Sequence, residues 1–190
     1  MQKNTRILTE ISMAIALSLI LNFIPLWQMP QGGSVTLEML PIFFIAFRWG
    51  VRPGMMAGLG YGVIQLAFGA YIVHPVQLIL DYPLAYSLLG LAGLFKNKIH
   101  LKKKISLLYN KIVITEDIAQ VLWILLAMIP AVLVRFFSHV LSGVIFFAHF
   151  APEGQNVWLY SIIYNGSFLI PSLILSYLIL ISLKRFVQPD

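Results

Sequence analysis

The sequence predicts an all-α integral membrane protein: a bundle of six spanning helices, one domain over residues 1–190, with both termini in the cytoplasm. Three observations predict it. The chain is 59% hydrophobic and 11% charged, with a mean hydropathy of +0.87. A soluble domain has roughly 25% charged and about 45–50% apolar residues, so this chain cannot cover itself with polar surface. Apolar runs close to the ~20 residues needed to span a bilayer recur along it. Finally, the basic residues alternate in placement. Lys3 and Arg6 precede the first run, Arg48 and Arg52 flank a turn, six lysines from Lys96 to Lys111 fill a central stretch, and Lys184 and Arg185 follow the last run. The intervening connections near 25–36, 70–75 and 149–157 hold neither Lys nor Arg. This is the positive-inside pattern. It accounts for the net charge of +6 as a topological signal, not a nucleic-acid surface; lysines at the inner leaflet also attract anionic lipid.

The first run, Ile7–Ile24, opens like a signal peptide but lacks a small-residue cleavage site, and Glu10 interrupts it; it is read as a retained helix. It carries Ser12-x-x-x-Ala16 and Ala14-x-x-x-Ser18, small residues four apart that admit a close helix. They serve packing within the bundle or docking of another membrane subunit. The following loop, PLWQMPQGGSV, is too rich in Pro and Gly for a continuous helix. Its Trp27 is an interfacial anchor or an aromatic wall on a lid. The second and third spans are expected at Thr36–Gly50 and Pro53–Gly69, the third with Gly54, Gly58, Gly60 and Gly62 for close packing. The fourth, Pro75–Phe95, contains Asp81 near mid-span, with Pro83 disturbing the helix two residues on. A lysine-rich cytoplasmic connection, Lys96–Asp117, has room for a short surface helix. The fifth and sixth spans are Ile118–Phe147 and Trp158–Phe186.

Several chemistries lack their residues. The chain has no cysteine, hence no disulfide or thiol chemistry. No Gly-x-x-x-x-Gly-Lys-Ser/Thr phosphate loop occurs, so ATP hydrolysis through that device is excluded. His139 and His149 have no acidic partner at ligand spacing, which argues against a metal. Ser138 and His139 are neighbours that point to different helix faces, and no nucleophile elbow is present, which argues against an intramembrane hydrolase.

What remains is a concentration of polar side chains inside apolar helices between Arg135 and Pro171: Ser138, His139, Ser142, Tyr160, Tyr164 and Asn165. In lipid, such groups face an interior or a ligand. His139 and Gly143 share a helix face, as do Tyr160 and Tyr164, with Asn165 on a neighbouring flank. Asp81 is the one acidic residue well inside an expected span; Glu10 and Glu38 fall near helix ends. It meets a ligand or pairs with Arg135. One carboxylate, one imidazole, an amide and several aromatic rings suit a small cationic or aromatic heterocycle.

Three stretches, GGSVTLEMLP, LDYPLAYSLLGLAGLF and SHVLSGVIFFAHFAPEGQNVWLYSIIYNGS, resemble the thiamine-specific S components of energy-coupling factor (ECF) transporters, the ThiT family, across roughly residues 7–175. The resemblance implies a six-helix bundle of the bacterial plasma membrane that captures thiamine at its outer side. It implies no enzymatic activity and no cofactor. It also implies docking on a transmembrane T component and two cytoplasmic ATPases. The implied pocket comprises Asp81 and Tyr82 on helix 4, His139 and Gly143 on helix 5, Tyr160 and Asn165 on helix 6, Tyr71 after helix 3, and Trp27 in the first loop. The implied docking face is Ser12, Ala14, Ala16 and Ser18. Two positions depart from the family pattern: Asp81 stands where Glu is usual, and Phe147 where Trp is usual. Competing expectations are the same fold for a thiamine precursor or another vitamin, and a solitary structural or regulatory membrane protein.

Overall fold

The computed structural model describes residues 3–99, 105–106, 113–114 and 116–187. Its helical segments are α1 (Lys3–Asn22), α2 (Met39–Trp49), α3 (Val51–Gln65), α4 (Pro75–Ile99), α5 (Glu116–Phe146), α6 (Val157–Ser182) and the short α7 (Lys184–Val187). Two hairpins join them, β1–β2 (Trp27–Gln28, Ser34–Val35) and β3–β4 (Ile105–Ser106, Val113–Ile114), both antiparallel. The surface helix expected within Lys96–Asp117 otherwise falls outside the described residues.

Four helices, α1, α4, α5 and α6, are long and apolar enough to cross a bilayer. The other two expected spans are shorter than the sequence predicts. α2 has 11 residues and begins at Met39, not Thr36. Eight of those 11 are buried, so α2 is a core element wrapped by the others, with little surface for lipid. The segment before it is non-helical yet deep in the bundle: Thr36 is fully buried, and its N–H donates to Ser172 Oγ at 3.2 Å. Irregular backbone at this depth is tolerated because protein encloses it. Gly50, at φ +98°, turns α2 directly into α3 in a conformation that side chains rarely adopt.

α3 and α4 lie backbone against backbone. A Cβ on Gly58 would stand 2.1 Å from the Tyr86 carbonyl oxygen, one on Gly62 2.6 Å from that of Tyr82, and one on Gly90 2.2 Å from the Met55 nitrogen. The glycine run anticipated for packing is therefore used for it, and it brings the middle of α4 into the bundle.

α4 is itself irregular. His74 caps it, its Nδ1 accepting from the Val76 N–H at 3.1 Å, with Pro75 in the first turn. A π-helical turn, Leu80–Leu84, follows, and later a 3₁₀ stretch, Leu89–Phe95. Pro83 has no N–H to give and its ring crowds the turn before it, so the widened turn accommodates it. The Leu80 carbonyl accepts from Ser138 Oγ on α5 at 2.6 Å, which ties this turn to α5.

The four small residues of α1 do not form one face. Residues two apart on a helix point about 200° from each other. Ala14 and Ser18 are buried inside the bundle, whereas Ser12 and Ala16 are exposed beside Met13 and Leu17. The expected docking set is corrected accordingly: Ala14 and Ser18 pack internally, and only Ser12 and Ala16 lie on the outward stripe. Glu10 is tolerated in this helix because Arg6 and Arg48 pair with it, each at 3.0 Å, and the Trp49 indole donates to it at 2.7 Å.

Candidate functional site

A cavity of about 470 Å³ opens among the α1–α2, α3–α4 and α5–α6 connections and reaches down between α4, α5 and α6. That volume suits a small organic ligand. The three connections around it are those free of Lys and Arg.

The π turn points Asp81 toward α5. Its Oδ2 accepts from Gln77 Nε2 and from Ser142 Oγ, both at 2.7 Å, and its Oδ1 stands 3.0 Å from His139 Nδ1. The alternative in which Asp81 pairs with Arg135 is not what the fold builds. Arg135 pairs with Glu38, Nη2 to Oε1 at 3.3 Å, and its guanidinium lies 4.0 Å from the centre of the Tyr86 ring. Glu38 also accepts from Tyr61 at 2.7 Å and Tyr86 at 2.6 Å. Glu38 is 6% exposed and Arg135 2%. Glu38 stands at the N-terminal end of α2, as the sequence suggests, but the chain entering α2 carries that end into the core, where an arginine and two phenols meet it.

Gln77 does two further jobs. Its Nε2 donates to the Tyr71 carbonyl at 3.1 Å, and its Oε1 accepts from the Val73 N–H at 3.1 Å. The Tyr71 N–H donates to the Tyr82 hydroxyl at 2.9 Å. The α3–α4 connection is therefore tied to the same helix that carries Asp81, and Tyr71 is set 6.0 Å from Phe147, ring centre to ring centre.

On the opposite wall, Gly143 lets α6 approach α5, since a Cβ there would lie 2.2 Å from Ser161 Oγ. Asn165 donates to the Ser161 carbonyl at 2.9 Å and to its hydroxyl at 3.3 Å. Among the described residues no protein donor meets the Asn165 carbonyl oxygen. Tyr160 and Tyr164 stack at 5.9 Å. Tyr164 also holds the first loop: its hydroxyl accepts from the N–H groups of Gln31 at 3.0 Å and Gly33 at 3.4 Å. Tyr164→Phe is expected to speed amide hydrogen exchange at residues 31 and 33 while leaving the α5 and α6 amides unchanged. Mass-resolved exchange on the parent and the variant checks this.

Of the residues expected at the site, Asp81, Tyr82, His139, Gly143, Phe147, Tyr160, Asn165 and Tyr71 all line this cavity. Trp27 does not. The first loop is a hairpin pairing Trp27 with Val35, and the indole is 66% exposed on its outer side. Tyr164, singled out with Tyr160 among the polar groups expected to face an interior or a ligand, lines the cavity too, and so do Gln77, Glu38, Arg135 and Phe168, which were not expected to. Tyr164 was visible as a polar ring in an apolar helix. Gln77 and Glu38, near apparent helix starts, gave no such signal.

A helical membrane bundle that closes loops over a polar, aromatic-walled cavity is the build of a membrane protein that binds and moves a small solute. The Thiamine transporter protein (Thia_YuaJ) family matches residues 8–189. The chain is 39% identical over 176 residues to Thiamine transporter ThiT of Bacillus subtilis (strain 168), covering 91% of this chain and 87% of that one. It is 27% identical over 192 residues to Thiamine transporter ThiT of Lacticaseibacillus paracasei, covering 99% and 90%. A solved structure of ThiT from Listeria monocytogenes superposes with a TM-score of 0.86 at 28% identity, covering 99% of this chain and all of that one. The chain belongs to the thiamine transporter protein family. It is a multi-pass protein of the bacterial cell membrane, and its relatives are named as transporters, a non-enzymatic role.

Proposed function

We propose that this chain is the thiamine-binding S component of an ECF-type transporter, capturing thiamine from outside the cell and delivering it to a T component and two ATPases. Thiamine is its ligand, and it takes no cofactor. The observation that carries the ligand is Asp81: a carboxylate in an aromatic-walled cavity, held, among the described residues, by three side chains of which none is an arginine or lysine. Thiamine brings a permanent positive charge on its thiazolium ring and an aminopyrimidine with hydrogen-bonding edges. The carboxylate complements the charge, Tyr160, Phe147 and Tyr71 offer faces for stacking and cation–π contact, and Asn165 offers an amide edge. Phe147 in place of Trp retains a stacking face with weaker cation–π attraction. Mass spectrometry of small molecules retained through purification tests the assignment. Thiamine supports it; a precursor or another vitamin would redirect it, and an empty cavity that thiamine does not fill would remove it.

Capture from outside requires both termini and the lysine-rich connection to be cytoplasmic, as the distribution of Lys and Arg supports. Under this topology, a cysteine at Gly154 reacts with an impermeant thiol reagent applied to intact cells, and one at Lys98 does not. The reverse labelling would invert the topology and the proposal with it. For delivery, the outward Ser12–Ala16 stripe is the surface for the transmembrane partner. Ala16→Trp is then expected to abolish uptake in cells while thiamine binding by the isolated protein persists. Uptake at the parental rate would place the docking surface elsewhere.

A further inference from the structure

Arg135 borders the cavity, and it reaches Asp81 through another side chain. Its Nε lies 3.3 Å from His139 Nε2, and His139 Nδ1 lies 3.0 Å from Asp81 Oδ1. A guanidinium has donors and no acceptor. His139 Nε2 must therefore present its lone pair to Arg135, and the ring proton sits on Nδ1, where it donates to Asp81. This assignment follows from the chemistry of the two partners, since ring nitrogens are otherwise ambiguous. The charged and titratable groups around this chain of contacts are Asp81, Tyr82 and Tyr86 on α4, Glu38 ahead of α2, Tyr61 on α3 and Arg135 itself. Arg135's charge is met by Glu38, not by Asp81. Asp81 receives hydrogen bonds from a histidine, a glutamine and a serine.

We propose that Arg135 is a positioning residue: by holding the lone pair of His139 Nε2 it keeps the single imidazole proton on Nδ1, aimed at Asp81, so that Asp81 is gripped by uncharged donors and its negative charge is kept for a cationic ligand. A second proton on the imidazole would place an N–H against the Nε–H of Arg135 and would spend the charge of Asp81 inside the protein. Glu38 is the necessary companion. It balances Arg135, so Glu38, Arg135 and Asp81 together leave one uncompensated negative charge in the cavity, which matches a monocation. This rests on the reading of the site as one for a cationic ligand; the position of the proton does not.

The test uses the full chain labelled with ¹⁵N-histidine, with the His139 signals assigned by their loss in His139→Gln. The expected spectrum has a proton-bearing Nδ1 and a lone-pair Nε2. A proton on Nε2, alone or together with one on Nδ1, would overturn the proposal. The second arm is the double variant Glu38→Gln/Arg135→Met, which removes the ion pair without leaving a lone charge. In it, His139 is expected to lose its single tautomer. The preference for thiamine over an isostere carrying an uncharged thiophene ring should fall about tenfold, the scale of one hydrogen bond to an ionised group. A double variant with the parental spectrum and the parental preference would reduce Arg135 to a structural element. If the double variant does not fold, the parental spectrum still decides. If the parent binds no thiamine, the ligand assignment fails while the location of the proton is still read.

Discussion

Replacing Asp81 with Asn is expected to weaken thiamine binding by roughly ten- to a hundredfold, since a hydrogen bond to an ionised group contributes about 1.5–3 kcal/mol. The substitution preserves shape and removes the charge. It also sets the new amide's two donor hydrogens among side chains that already donate: Gln77 and Ser142 on one oxygen, His139 on the other. The loss is therefore expected toward the larger end. Asp81→Glu keeps the charge and adds one methylene on a widened turn, and is expected to bind within a few-fold of the parent. Equilibrium titration of both variants decides. Binding by Asp81→Asn as tight as the parent would make the carboxylate a strut between α4 and α5 and would remove it from the ligand site.

The second large effect is on stability. Arg135→Met alone leaves Glu38 buried without its cation, and breaking a buried pair from one side costs about 3–5 kcal/mol. The two tyrosine hydroxyls on Glu38 remain, at 2.7 and 2.6 Å, which places the expected cost near the lower bound. Replacing both members, Glu38→Gln/Arg135→Met, is expected to recover most of the loss, because a buried pair and an uncharged replacement are often close in stability. Heating the purified protein and following the fraction that stays monodisperse gives the order: parent and double variant together, the single variant well below. Equal, additive losses from the two substitutions would show that they are not partners.

The signals that made the bundle legible were those lipid enforces. Apolar length marked α1, α4, α5 and α6 to within a few residues at most ends. Polar residues inside α5 and α6 pointed to His139, Tyr160 and Asn165 because a lipid-facing helix has no other use for them. The failures share a cause: apolar runs locate helices but not their depth. Thr36–Glu38 reads as the start of a span, yet it enters the core as irregular backbone, so Glu38 looked peripheral and its pairing with Arg135 was invisible. Spacing of four in α1 gave two small-residue pairs without saying that they sit on opposing faces; rotation about the helix axis separates Ala14 and Ser18 from Ser12 and Ala16. Trp27 looked like a wall of the cavity because its loop borders it. In the hairpin, where it pairs with Val35, the ring is largely exposed and takes no part in the lining. Pro83 announced a disturbance in α4 but not its form, a π turn that aims Asp81 at His139.

We place the thiamine site in the cavity beneath the first loop. Isothermal titration of thiamine into the purified chain, alone and without any partner protein, tests this most directly when run in parallel with Gly143→Leu. That variant places a bulky side chain where even a Cβ would stand 2.2 Å from Ser161 Oγ. Saturable binding of one thiamine per chain is expected, and none by Gly143→Leu, with Ala16→Trp binding as the parent does. Parental binding by a folded Gly143→Leu, or no binding by the parent, would contradict that placement.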